Sequence, residues 1–430
     1  MKELKELKEL FKKAVVYMLI YEARLILKKH KPFIIGVTGN LGKTSTKDAI
    51  YAVMKDKFNV RRSEKSMNSE FGVPLTIIGE KSGWNNPFKW LLILVRGAKV
   101  LFDDNYPTHL VLEVGADRVG DIKSIAKWLH PDITVVTQFG QVPVHIEFFP
   151  NRDAVIKEKG YLVKALRNDG LFIYNADDHD SEKLLQETEA KKLSFGIHKK
   201  SDVFANGVKA YGDLEGVQAD ILVDGKVNHL LLPEVIGKSP VYCALPAIAI
   251  ASELNIPIDV ACASLSNSNK PRGRMRILEG MNYSKIVDDT YNASPMATEH
   301  GLATLASLDR SHKIAVLGDM LELGKHSRDE HLKIGKAAAK SCHKLITVGI
   351  RARAIAEGAL DGGMLDDNIL QCDTAIDAGH ELVKILKEGD VVYIKGSQSM
   401  RMERAVKMIL AENHDSKKLL VRQELEWLNR

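Results

Sequence analysis

Residues 36–46 read "GVTGNLGKTST", and the spacing of their glycines decides how the first half of the chain is understood. The commonest phosphate loop, G-x-x-x-x-G-K-[ST], would put its first glycine where Val37 stands; the glycines fall at 36, 39 and 42 instead. The flanks nevertheless have the right physics. "FIIGV" (33–37) is a short β-rich apolar run suited to a buried parallel strand, and "KTSTKDAIYAVM" (43–54) carries apolar residues at helical spacing. A strand that turns through glycines into a helix gathers backbone N–H groups and the positive end of a helix dipole at one point, where an anion is held. Lys43 adds a cation for phosphate oxygens and Thr44 a hydroxyl for Mg²⁺. The competing reading is a tight βα turn with a solvated lysine, so the rest of the chain has to decide.

At 430 residues, 45% hydrophobic and 27% charged, the chain has the make-up of a soluble globular protein of about two or three domains. Its four cysteines, Cys243, Cys262, Cys342 and Cys372, are scattered with no C-x-x-C pair, which points to a reducing compartment and away from structural zinc or a disulfide framework. No signal peptide and no apolar run of membrane-spanning length is seen, so the expected location is the cytoplasm. The net charge of +5 sits entirely in residues 1–31, which hold nine Lys/Arg and four Glu; the remainder carries 52 of each sign. A neutral body leaves no electrostatic footprint for nucleic acid.

Residues 1–31 read as one basic amphipathic helix that stops at Pro32. Leu4, Leu7, Phe11, Ala14, Met18, Tyr21 and Leu25 recur at three- and four-residue steps. That stripe needs a cover: the neighbouring domain and its insertion at 82–105, a second copy of the chain, or an anionic membrane surface all fit. From 32 to 270 strand-like runs alternate with helical ones, as in "HLVLEVGA" (109–116), "DITVVTQFG" (132–140) and "GLFIYNADD" (170–178). Two insertions interrupt the pattern: 82–105, with a helix begun at Pro87, and 200–233, strand-rich with a hairpin signal at Asp224-Gly225. After the polar stretch "SNSNKPRGR" (266–274) the alternation restarts over 271–430. The expected fold is α/β: a P-loop-type, mainly parallel sheet domain followed by a smaller Rossmann-like domain, with an N-terminal helix.

Seven further strings follow the loop: "NSEFGVPLT" (68–76), "LEVGADRVGDI" (112–122), "PDITVVTQFG" (131–140), "NADD" (175–178), "DDTYNASP" (288–295), "LGDMLELG" (317–324) and "KGSQSMRMER" (395–404). Together with "TGNLGKTST" they resemble the Mur ligase family, most closely its MurF-type members, from about residue 33 to 412. In that family the loop looks like T-G-x-x-G-K-[ST]-[ST], the spacing found here. The resemblance implies ATP-dependent amide formation through an acyl phosphate in peptidoglycan precursor synthesis, with D-Ala-D-Ala added to a UDP-muramoyl tripeptide. It places Gly39, Asn40, Leu41, Gly42, Lys43, Thr44 and Ser45 around the ATP phosphates. It gives Mg²⁺ (one or two ions) the ligands Thr44 and Glu113, and for a second cation His145 and Lys159, the lysine being carbamylated by CO₂. Lys157 and Lys164 are neighbouring lysines that chemistry alone does not separate from Lys159. Asn68 and Ser69 fall by the substrate carboxylate, Arg274 by the phosphates or ribose, Asp289 by the ribose, and Tyr291 and Asn292 along the cleft. Lys43, Lys159, His145 and Asn68 are thus the implied catalytic set, and His331 lies in an S-x-x-x-H stretch beginning at Ser327. Plainer readings stand beside these: Glu113 as an ordinary strand-end carboxylate, His145 as a loop histidine, Lys159 as a solvated helix residue, Asp288 and Asp289 as a capped strand end, and His331 as a surface histidine.

The chain departs from the family in four places. Thirty-one residues precede the loop domain, too few for a core of their own, where MurF-type enzymes carry a domain for the UDP-sugar. "SPVYC" (239–243) stands in place of H-N-x-x-N, whose last Asn hydrogen-bonds adenine; Cys243 is a poor substitute, so loose base selectivity is expected. The loop "QFGQVPVH" before His145 is one residue longer than usual, and the 82–105 insertion has no recognised counterpart. Two other functions remain: a Mur-like ligase for another carboxylate and amine, as in folylpolyglutamate synthases, and a nucleotide-binding partner protein without ligase activity. Retention of Lys43, Thr44, Glu113, His145 and Lys159 argues against the last.

Overall fold

Short apolar runs separated by helical segments become parallel strands, because each strand buried on both faces needs a crossover helix to reach the next. The computed structural model describes residues 2–64, 67–83, 86–424 and 427, with side chains from Leu10 onward. Two compact units result: Met1–Phe139, Asp153–Phe204 and Cys243–Ser264 make the first, and Gly140–Arg152, Ala205–Tyr242 and Leu265–Arg430 the second.

In the first unit, β1 (Phe33–Thr38), β2 (Val60–Arg62), β3 (His109–Glu113), β4 (Ile133–Val136), β5 (Leu171–Asn175) and β6 (Lys191–Gly196) are all parallel, in the order β2-β3-β1-β4-β5-β6. β1 leads through α2 (Lys43–Met54) to β2 on one side of it, while its neighbours β3 and β4 lead to β4 and β5 on the other. Such a switch in strand order opens a crevice at the carboxyl ends of the strands. The register sets Val37 opposite Glu113 and Thr38 opposite Val136, so β3 delivers a carboxylate to the rim of that crevice.

The chain enters the second unit along β7 (Val203–Tyr211), followed by the antiparallel hairpin β8 (Gly216–Val223) and β9 (Lys226–Pro233). Its turn is Asp224-Gly225, with φ of 49° and 75°, the paired positive values that match the strand twist. A second sheet runs β10-β11-β15-β12-β13-β14, formed by β10 (Arg276–Glu279), β11 (Lys285–Asp289), β12 (Lys313–Gly318), β13 (Lys344–Val348), β14 (Ile369–Cys372) and β15 (Val391–Lys395). Only β10 is antiparallel. Alternate residues enter separate cores, Ala315, Leu317 and Tyr393 on one face and Ile314, Val316 and Ile394 on the other, so both faces are covered. The α/β class and the two sheets agree with the sequence pattern.

The N-terminal helix departs from it. α1 (Lys2–His30) packs on α3 (Gly72–Ile78) and α4 (Pro87–Val100), all within the first unit. Its buried residues are Val15, Leu19, Ala23 and Ile26, whereas Phe11, Met18 and Tyr21 of the expected stripe are exposed. Leu4 and Leu7 lie outside the described side chains. The helix has two apolar stripes, and the slimmer one is chosen because α4 approaches closely at Gly97, where a Cβ would meet Glu22 Oε2 at 2.1 Å. α4 begins at Pro87, with the Asn86 side chain accepting from Lys89 N.

Glu22 records that approach. Its Oε2 is buried without a hydrogen-bond partner among the described residues, and burial pushes the carboxyl from 4.5 up to about 7. A carboxyl whose folded pKa is raised favours the protonated native state, so its contribution is greatest below the unfolded value and is lost as pH rises through about 7. Glu22→Gln is expected to flatten the fall in stability between those limits and to raise the melting temperature above them; urea unfolding of both proteins across the range measures it.

Candidate active site

The loop after β1 is shaped by positions that tolerate only glycine. Gly39 has φ 136°, and a Cβ there would lie 2.1 Å from Thr137 Oγ1; Gly42, at φ 85°, is the residue before α2. Asn40 and Leu41 donate their N–H groups to Gln138 O at 2.8 and 3.2 Å, and Thr137 Oγ1 donates to Leu41 O at 2.6 Å. The amides of Asn40 and Leu41 are therefore tied to the loop after β4. No side chain caps α2, which opens with Lys43, Thr44 and Ser45. Among the described residues three buried oxygens around this loop have no hydrogen-bond partner: Thr38 Oγ1, Asn40 Oδ1 and Thr46 Oγ1. Lys43 Nζ reaches back to Asn40 O at 3.4 Å.

Beside the loop, Glu113 is 1% exposed. Thr44 Oγ1 donates to its Oε2 and Asn68 Nδ2 to its Oε1, each at 2.9 Å, while Ser63 Oγ accepts from the Glu113 N–H at 3.1 Å. Thr44, Asn68 and Glu113 come from three separate segments, and the structure brings them together. Lys159 lies on α6 (Arg152–Lys164) and is 3% exposed, which rules out the solvated reading. Burial first, then the Lys43 ammonium, push it down to about 7, against the pull of Glu158, Asp117 and Glu113. Its neighbour Glu158 accepts from the N–H groups of Gly120 and Lys123, holding the start of α5 (Asp121–Ala126). Cys243 lies against the same loop, its Sγ 3.7 Å from Gly42 O.

His145, Arg274, Asp289, Tyr291, Asn292 and His331 belong to the second unit. His145 sits at φ 70° with Nδ1 2.7 Å from Glu322 Oε2, and Glu322 is itself left-handed at φ 63°. The Arg274 guanidinium stacks 4.1 Å from the Tyr291 ring centre, and its Nε is buried without a partner. Asp289 accepts from Met275 N at 3.2 Å and pairs with buried Lys395 at 2.5 Å. Asn292 accepts from Ala293 N through its side chain and from Lys395 Nζ through its carbonyl. His331 is fully buried rather than at the surface: Met320 N donates to Nε2 at 3.0 Å, Nδ1 lies 2.6 Å from Ser327 O, and burial lowers its pKa. Those contacts make it a neutral pin for "LGDMLELG".

Sequence reading missed three supports. Gln138 acts through its carbonyl, which any residue type provides. Lys395 and Tyr393 hold Asp289. Arg422 donates to Thr290 O and Tyr291 O and pairs with Glu403 at 2.8 Å, yet lies past the last recognisable string.

Gly39→Ala is expected to lower the melting temperature and weaken ADP binding at least about tenfold, because the added methyl displaces Thr137 or strains φ. Calorimetric titration with ADP and a thermal melt would read both.

Residues 37–251 match the Mur ligase middle domain and residues 273–398 the domain described as "Mur ligase, glutamate ligase domain". A UDP-N-acetylmuramoyl-tripeptide–D-alanyl-D-alanine ligase of Bacillus subtilis is 27% identical over 396 residues, spanning 90% of this chain and 78% of its own. The enzyme of the same name from Mycobacterium tuberculosis (strain H37Rv) is 28% identical over 400 residues, covering 88% and 73%. The crystal structure of MurF ligase from Thermotoga maritima in complex with ADP superposes with a TM-score of 0.76 at 25% identity, covering 91% of this chain and 83% of that one. With two consecutive family domains matched and the phosphate loop, Glu113 and Lys159 drawn to one crevice, the chain belongs to the Mur ligase family.

Proposed function

We propose that this protein is an ATP-dependent ligase of peptidoglycan precursor synthesis that joins D-alanyl-D-alanine to a muramoyl tripeptide. The Glu113 clamp carries the reading: a buried carboxylate holds the Thr44 hydroxyl and the Asn68 amide at the uncapped start of α2. Relatives bearing that activity in their names span most of the chain. In the reaction a carboxylate oxygen of the donor attacks the γ-phosphorus of ATP and ADP leaves. The amine then attacks the acyl carbon, loses a proton and expels phosphate. Lys43 and the first-turn amides of α2 offset the negative charge that gathers when the carboxylate meets the triphosphate. Asn68 orients the Glu113 carboxylate and stands where the donor carboxylate is expected. In the second unit Arg274, Tyr291 and Asn292 are the candidate nucleotide contacts, with Asp289 as the anchor beneath them.

Thr44 Oγ1 and Glu113 Oε2 are hard oxygens 2.9 Å apart, a donor pair that fits Mg²⁺. No group of three or more His, Cys, Asp or Glu gathers among the described residues, as suits an ion that completes its shell with phosphate and water. When bound, Mg²⁺ supplies positive charge to the phosphate oxygens. Lys159 is the proposed carbamate: CO₂ adds to its neutral amine with loss of a proton and leaves an anion beside Lys43. Burial and a value of about 7 keep much of that amine neutral near pH 7. His145, in the second unit, is a candidate metal ligand by its place in the sequence. Because the reaction consumes ATP, the cytoplasm is its proposed place.

Phosphate release measured with ATP, Mg²⁺ and a panel of donors and amines tests the reading. Release should require both a muramoyl tripeptide and D-Ala-D-Ala. A different productive pair would replace the substrate assignment, and ADP binding without turnover for any pair would make the protein a binding partner. Lys43→Ala is expected to abolish ligation at saturating ATP with an unchanged melt. Lys159→Ala should be nearly inactive and regain part of its turnover with added acetate or formate; full activity in CO₂-depleted buffer would exclude the carbamate.

A further inference from the structure

α4 keeps two opposite faces apolar. Trp90, Ile93 and Gly97 point into the first unit, while Phe88, Leu91, Leu92, Val95 and, one heptad on, Phe102 are exposed, Phe88 at 83% and Phe102 at 79%. A helix seated on a soluble domain ordinarily turns polar residues outward. α1, packed alongside, leaves a second apolar stripe open, with Tyr17 at 74% and Phe11, Met18 and Tyr21 beside it. The two stripes belong to one platform. His30 Nε2 meets Val100 O at 3.0 Å and its ring stacks on Tyr106; Lys29 Nζ sits 4.8 Å over the Phe102 ring; Glu22 fits against Gly97. Lys12, at 5.4 Å over Phe71, fixes the other side of α1 toward α3. The stripe of Phe11 and Met18 therefore runs along the flank of α4.

The charge of this platform decides what covers it. α4 carries Lys89, Arg96 and Lys99 and no acid. From Leu10 to Lys31, α1 and its end carry Lys12, Lys13, Arg24, Lys28, Lys29 and Lys31 against one acid, Glu22, whose Oε2 is shut in. The rest of the chain carries a net charge of −3. A second copy laid face to face would set cations on cations. An anionic surface would pair them while the aromatic and aliphatic tips enter its apolar margin, the arrangement in which basic amphipathic helices lie on bilayers and lysine stems reach out to headgroups. No helix among the described residues is long and apolar enough to cross a membrane, so the contact is peripheral.

We propose that α1 and α4 form a docking platform for anionic lipid bilayers, with α4 as its apolar keel. The inference stands apart from the ligase reading, since its residues lie outside the phosphate loop and the Glu113 clamp. The full chain should float with phosphatidylcholine–phosphatidylglycerol vesicles at low salt, bind pure phosphatidylcholine far less, and be released at high salt. Phe88→Glu combined with Leu92→Glu, and separately Lys28→Glu combined with Lys89→Glu, should each cut the bound fraction about tenfold or more, with melts and solution phosphate release unchanged. All four positions are exposed, so both variants are expected to fold. A folded chain that ignores phosphatidylglycerol vesicles at low salt overturns the proposal. So does binding that neither pair of substitutions reduces. Concentration-dependent dimers by light scattering, abolished by the Phe88 and Leu92 changes without vesicle binding, would assign the platform to a second copy instead.

Discussion

A single buried carboxylate organises the crevice of the first unit. Glu113, placed at the end of β3 by its register with β1, would be costly to bury as an anion without hydrogen-bonded donors. Thr44 and Asn68 provide them, and hydrogen bonds to a charged group contribute about 1.5–3 kcal/mol each. The requirement runs outward. Thr44 must begin α2, so the loop before it must turn sharply at Gly39 and Gly42; Asn68 must reach across from the segment before α3. Strand order, loop and α2 all satisfy one electrostatic demand.

The ordered motifs made much of this legible. Strings such as "LEVGADRVGDI" and "NSEFGVPLT" carry Glu113 and Asn68, and chemistry restricts both positions. Other parts were hidden for definite reasons. Gln138 ties down Asn40 and Leu41 through a backbone carbonyl, which leaves no trace in residue type. The pairing of His145 with Glu322 depends on two left-handed backbone positions that periodicity does not encode. α1 offered two apolar stripes of similar period, and only the glycine on α4 reveals which one can be buried. The S-x-x-x-H stretch singled out His331 but left a surface histidine beside it, because its partners are two main-chain groups, at Met320 and Ser327.

The two sheets illustrate different uses of parallel strands. In the first unit the strand-order switch beside β1 creates a crevice, and the chemistry collects there. In the second unit alternate residues of β12 and β15 fill two cores, while the ends of β11 and β15 carry Asp289 and Lys395 as a buried ion pair. Breaking one partner of such a pair is far more damaging than its net contribution suggests, because the other charge is left stranded. Asp288, next to it, has Oδ2 without a partner and is pushed by burial up to about 6, so this corner already carries electrostatic tension.

Arg422 gives that corner an unexpected owner. Its guanidinium reaches back to the carbonyls of Thr290 and Tyr291 and shares Glu403 with Arg401, so the segment around Arg422 acts as a clasp on the "DDTYN" turn. The C-terminus is thus no neutral handle. A purification tag or a trimmed tail would act on the Arg274–Tyr291 stack through main-chain contacts, leaving every recognisable motif intact in sequence. Two chains with the same motif strings can differ at the Arg274–Tyr291 stack for no reason visible in those strings, through a residue such as Arg422 that lies outside them.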